Sequence, residues 1–453
     1  MPIIQKQRIK KKTKNKKIEI DTFLLYEKGG ENSISAIASR NCDCSDGSIS
    51  IGLGFVPYQA DDGKIVESNK SFTSFSEVMI KTPESGNVAR RELYAVDSTG
   101  YLYKYYSALS TFRLDRSNYP VKKLLTIWQE GVGTFLFFVM PSKICVQKNE
   151  SGAMLQLCAE NRALACICKN RFFYVHKNCD VGYADPVSPD VWQQSVEGNG
   201  ILYANEKDGL AQGLVALGDY VIVLYEHGLK KIKVAGSPTE FTVERIDYHG
   251  GRIYYNTACT CGNSVFFLAE DGVYFYDGKS VQRACPNMPI RPIDDDEKCV
   301  GACGYGDYML SYTDVNLGAK IFVVKNNGKD GYFSDSLTGF SDGIGDRVIA
   351  KNESAVGVYK PGVKCASGAY EFVSDRTYLG AQGCKTIKKI TFYGDGELYF
   401  SLFSDLKRRK TKITFENGVA EWVVMEKATF FNFHIQLHNY GQLTKMVLDV
   451  AYC

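Results

Sequence analysis

The chain is short of several things, and each shortage narrows what it can be. Among its 453 residues no apolar run reaches the ~20 that a membrane-spanning helix needs. The basic start is followed by no apolar core of a secretory signal, so synthesis in a cytoplasm is expected. Apolar residues spaced every three or four are hard to find, which argues against a helical fold. Histidine is scarce at five residues, and His434 and His438 would sit about 13 Å apart along one strand at about 3.3 Å per residue, too far to share a metal. There is no Gly-rich loop ending in Lys-Ser or Lys-Thr, no G-x-S-x-G elbow and no C-x-x-C pair. The Trp-Asp dipeptide of many propeller blades and the Ser-x-Asp-x-Gly boxes of sialidases are also absent. These gaps leave no catalytic constellation, and no cofactor or metal is expected.

What is present is β-structure. Aromatics make up 13% of the chain and 42 glycines supply turns. One pattern is written twice without a gap: Gly218-Asp219-Tyr220-Val221-Ile222-Val223-Leu224 with its Gly228 turn, then, forty-four residues on, Gly262-Asn263-Ser264-Val265-Phe266-Phe267-Leu268 with its Gly272 turn. An apolar run, a turn and a second run make a β-hairpin. The opening returns at Gly306-Asp307-Tyr308-Met309-Leu310. Leu93 to Tyr103 aligns with the first copy, Leu136 to Val139 fits the next unit, and Leu164–Cys168 with Phe172–Val175 form a weaker one around a Lys169-Asn170 turn. Val356-Gly357-Val358-Tyr359 opens the last unit. A strand repeat in the forties stacks into a β-propeller, here of about six blades, or seven.

The rest follows from composition. From Thr386 the pattern becomes alternating strands around Gly394-Asp395-Gly396, as in a small β-sandwich-like module. The expected domains are a basic disordered arm (1–20), the propeller (21–385) and the module (386–453). Fifteen cysteines, including Cys42/Cys44, Cys166/Cys168, Cys259/Cys261 and Cys299/Cys303, read as small buried hydrophobes in a reducing compartment. Asp294-Asp295-Asp296-Glu297 lacks the spacing of a Ca²⁺ loop and reads as a solvated turn.

Charge is concentrated at two places. The first twenty residues carry eight cations against Glu19, a net of +7 in a chain of net +3, so the body is mildly acidic. Lys10, Lys11, Lys12, Lys14, Lys16 and Lys17 are candidate contacts to DNA or a partner, as are Lys407, Arg408, Arg409 and Lys410 in a predicted hairpin. Such cations neutralise phosphates without reading sequence.

The stretch Phe241-Thr242-Val243-Glu244-Arg245-Ile246, then Thr257-Ala258-Cys259, the Gly262–Leu268 run and Asp271-Gly272-Val273-Tyr274-Phe275-Tyr276-Asp277-Gly278, resembles the tail-nozzle propeller proteins of short-tailed bacteriophages, which include the packaged-DNA stabilisation proteins. The resemblance covers about residues 210–280. It implies a non-enzymatic virion protein, assembled in the host cytoplasm, forming a homo-oligomeric ring, commonly a hexamer, around the DNA exit channel. It implies portal-adaptor and tail-fibre proteins as partners, together with non-specific contact with genomic DNA. Two other readings stay open: a propeller adhesin or scaffold that binds a host surface or partner, and a propeller enzyme acting on glycans.

Overall fold

In the computed structural model the described residues are 14–27, 32–60, 62–149, 153–158, 161–184, 200–202, 208–316, 318–334, 340, 342–344, 347–352, 355–363, 370–379, 383–405 and 407–452. They fall into two compact units. One comprises Phe55–Asp330 and Leu337–Lys360; the other draws on the chain up to Gly54, on Gly331–Ser336 and on Pro361 onward.

The first unit is a seven-bladed β-propeller. Its fourth blade shows how the repeat folds: Ala211–Leu217, Tyr220–Tyr225, Gly228–Lys233 and Thr242–Ile246 pair antiparallel in chain order. Gly218 (φ +56°) and Gly262 (φ +57°) lead the two-residue turns before the strongest strands, a conformation glycine adopts without Cβ strain. Blades one to six start at Phe72, Lys123, Asn161, Ala211, Cys259 and Val300. The innermost strands touch in ring order, and Asp342–Ile344 of blade seven returns against Phe72–Lys81 of blade one. Seven is thus the upper of the two counts that the repeat allows.

The first and last segments of the propeller unit close its ring. Blade seven joins Asp342–Ile344, Arg347–Asn352 and Ala355–Pro361 to Leu53–Pro57 from the far end of the sequence. The Tyr58 N–H donates to the Val356 carbonyl at 2.8 Å, and the Val356 N–H to that of Val66 at 3.0 Å. Val356–Tyr359 is therefore the third strand of its blade, not the first. The repeat's second strand is Arg347–Asn352, which Gly345-Asp346 precedes in the sequence as Gly218-Asp219 precedes Tyr220. Flat aromatic stacks fill the seams between blades: Phe137 on Phe172 at 4.3 Å, and Phe266 on Tyr308 at 5.4 Å. The thirteen described cysteines are free thiols and most are buried, as expected. Burial pushes the Cys166 thiol well up, which keeps it protonated and unreactive.

The second unit is one eight-stranded sheet: β1 (Lys14–Ile20), β2 (Thr22–Leu25), β3 (Ser33–Arg40), β4 (Glu371–Ser374), β5 (Lys385–Ser404), β6 (Arg408–Thr414), β7 (Val419–Ala428) and β8 (Phe431–Tyr452). The long strands β5 and β8 pair along their whole length, with register breaks at 393–397. The sheet folds over at that level, so that Phe392 packs edge-on against Phe400 at 4.9 Å and Trp422 of β7 meets Phe400 at 5.9 Å. The result is sandwich-like, but Gly394-Asp395-Gly396 is a bend within one strand rather than a hairpin turn. Glycine is required there: a Cβ on Gly394 would lie 2.0 Å from the Gln442 carbonyl oxygen, and one on Gly441 2.3 Å from that of Glu397.

Two sequence boundaries move. Lys14–Ile20 is not a disordered arm but an edge strand paired with Met446–Tyr452, because Ile18 and Ile20 alternate inward and Ile20 is buried. The unit built on the C-terminal strands also includes residues up to Gly54, which the sequence placed in the propeller. Among the described residues no helix is long and apolar enough to cross a membrane.

Candidate nucleic-acid interface

The alternation of β5 sorts its side chains. Leu398, Phe400 and Leu402 are fully buried, so Tyr399, Ser401 and Phe403 lie on the opposite face. Strand β6 pairs with this half of β5 in the register Tyr399↔Lys412, Ser401↔Lys410 and Phe403↔Arg408. Arg408, Lys410 and Lys412 therefore share a face with the two aromatic residues. They stand at about 6.6 Å intervals along one strand, a span of about 13 Å. That span is about four nucleotides of duplex rise on one strand, at about 3.4 Å each.

The three cations are held differently. The Arg408 guanidinium lies over the Phe403 ring at 5.0 Å and donates to Ser401 Oγ at 3.4 Å. Lys410 Nζ lies over the Tyr399 ring at 5.0 Å. Neither has a carboxylate within salt-bridge distance among the described residues, so both charges are uncompensated. Lys412 is paired with Glu397 at 2.9 Å. On the neighbouring β8, His434 stands opposite Ser401 and His438 opposite Glu397. Burial, reinforced by Arg408 and Lys410 and opposed by Glu371, lowers the His434 pKa below its ordinary 6.5. It is neutral at pH 7, and among the described residues its Nε2 has no hydrogen-bond partner.

The sequence candidates are not brought together. Lys10, Lys11 and Lys12 lie outside the described residues. Lys14, Lys16 and Lys17 are exposed on β1, at the edge of the sheet beside β8. Strand β6 lies beyond β5, so β8 and β5 stand between it and β1 in the sheet order. Lysines on an edge strand also discourage pairing with another chain, which is a sufficient reason for those three. Lys407 sits in the turn where Ser404 N–H donates to its carbonyl at 2.8 Å. Arg409 points to the other side and pairs with the buried Glu426 at 3.2 Å, so it serves the fold. Of the basic cluster only Arg408 and Lys410 reach the open face. Lys412, Tyr399, Phe403 and His434 were missed. The every-second-residue spacing of Arg408, Lys410 and Lys412 was the available signal, once these residues are read as a strand and not a turn.

An aromatic-backed row of cations on a sheet is suited to phosphate and to exposed bases. Guanidinium binds phosphate bidentately, the lysines add point charge, and the rings offer stacking surface.

No family model and no curated protein matches the chain. Solved structures with similar backbones include U3-55K (TM-score 0.43, 11% identity, 69% of this chain and 98% of that one). Others are the RRP9 WD40 repeats (0.43, 11%, 72% and 100%) and the mitotic checkpoint complex (0.39, 7%, 64% and 92%). At these levels nothing about activity is carried over.

Proposed function

We propose that this chain is a structural component of a bacteriophage virion, a tail-nozzle or hub subunit that rings the DNA exit channel and helps retain and deliver the genome. It works by assembly and electrostatic contact, not by catalysis. Copies of the chain form the ring, and portal-adaptor and tail-fibre proteins are its neighbours. Two features support the reading: the resemblance over residues 210–280, which falls on blades four and five, and the cation row of β6. The carrying observation is the second, because Arg408 and Lys410 are charged, exposed and uncompensated on a face backed by aromatic rings.

Binding of the purified chain to a 30-nucleotide single strand and to duplex DNA, titrated over salt, tests the contact. Affinity is expected to be independent of sequence and to fall steeply with salt. The Arg408→Gln/Lys410→Gln variant is expected to lower the log–log salt slope by about 2, close to one for each phosphate no longer neutralised. An unchanged slope removes this face from the account.

A further inference from the structure

A cavity of about 1170 Å³ opens inside the propeller unit where the inner strands begin. Its lining includes Lys123, Asn161 and Arg162, from the first strands of blades two and three, and the aromatic residues Phe72, Phe75, Phe340 and Tyr255.

Three of the lining residues offer donors. Asn161 is 7% exposed; its Oδ1 accepts the Ala163 N–H at 2.6 Å, which fixes the amide, while its Nδ2 has no partner among the described residues. Arg162 uses Nε on the Ala211 carbonyl at 3.1 Å, and its terminal nitrogens have no partner among the described residues. The Lys123 ammonium has none either. The nearby carboxylate is already taken: Asp296 accepts from Arg252 at 2.6 Å and from the Tyr255 N–H at 3.2 Å. Asp97, at the rim, accepts from the Thr99 N–H and hydroxyl, the Tyr101 N–H and the Tyr103 hydroxyl.

The backbone is strained at the same place. Ala163 (φ +58°) and Asn256 (φ +56°) both line the cavity in the left-handed region, and a bulge interrupts pairing between Asn161 and Ala165. A left-handed alanine is costly, and bulges re-aim side chains beside binding sites. The Tyr255 hydroxyl donates to the Arg162 carbonyl at 2.7 Å and braces this segment.

A buried, fixed donor beside two free cations asks for an anion rich in acceptors. The volume far exceeds that of an inorganic ion and suits a small organic ligand. Half-buried ring faces at Phe72 and Tyr255, with hydroxyl and amide groups at Ser74, Thr99 and Asn256, fit a polyhydroxylated ring. We propose that the axial cavity of the propeller binds an acidic saccharide, its carboxylate held by Asn161, Arg162 and Lys123. This site is independent of the β6 face and adds a second recognition function to the chain.

Calorimetric titration of the full chain with sialyllactose, trigalacturonate, lactose and inorganic phosphate tests it. At least one acidic saccharide is expected to bind, with lactose and phosphate at least about tenfold weaker. Arg162→Gln and Lys123→Gln are each expected to weaken binding about tenfold without shifting the melting temperature. Asn161→Asp keeps the cap on Ala163 but places a carboxylate against the ligand, and is expected to abolish binding. The proposal fails if neither acidic saccharide binds, if lactose or phosphate binds as tightly, or if folded variants bind like the parent.

Discussion

At the scale of the residue, what matters is whether a charge is spent inside the protein. Arg409 is spent on Glu426, whereas Arg408 and Lys410 rest on aromatic rings and face outward. Their neighbour His434 gives a pH signature. Its depressed pKa means that the unfolded chain binds its proton first, so this residue costs stability as pH falls below 6.5, and the cost is complete below its folded pKa. His434→Gln should therefore lose less stability than the parent between pH 7 and 5.5, measured by urea unfolding of both proteins. Equal losses would mean that the histidine is not held neutral by its surroundings. A seam residue makes the contrasting case. Phe137 is fully buried and stacked on Phe172, so Phe137→Ala should cost about 3–5 kcal/mol in the same assay.

At the scale of the element, composition and placement parted company in specific ways. The Gly-led turns at Gly218 and Gly262 made blades four and five readable, because a two-residue turn fixes both strands and their register. Blade three was faint because a bulge at Asn161–Ala165 breaks its alternation. The lysines of β1 carried the composition of a disordered arm, and only Ile18 and Ile20 betray the strand. Gly394-Asp395-Gly396 has the residues of a turn, yet the chain runs on because β8 bends beside it at Gly441. Whether a glycine-rich stretch reverses the chain or merely bends it depends on the partner strand, which local sequence does not contain. Gly394→Ala should therefore destabilise the β-module by roughly 2–3 kcal/mol, while Lys407→Ala, in an exposed turn, should stay within about 0.5 kcal/mol. A neutral Gly394→Ala would show that the bend is not forced by the close approach of Gln442.

At the scale of the whole molecule, the propeller was legible from its period, and the exact closure was not. Leu53–Pro57 completes blade seven from about 300 residues away, a pairing that no window of sequence shows. The cation face likewise assembles from β5, β6 and β8, so of its members only Arg408 and Lys410 were visible, within one cluster of four basic residues. On the reading proposed above, this fold serves a phage particle. Mass spectrometry of gradient-purified virions from the source, counting this chain against the major capsid protein, tests that most directly. The account predicts a low, fixed copy number, consistent with one ring per particle. Absence of the chain from intact, infectious particles would contradict it.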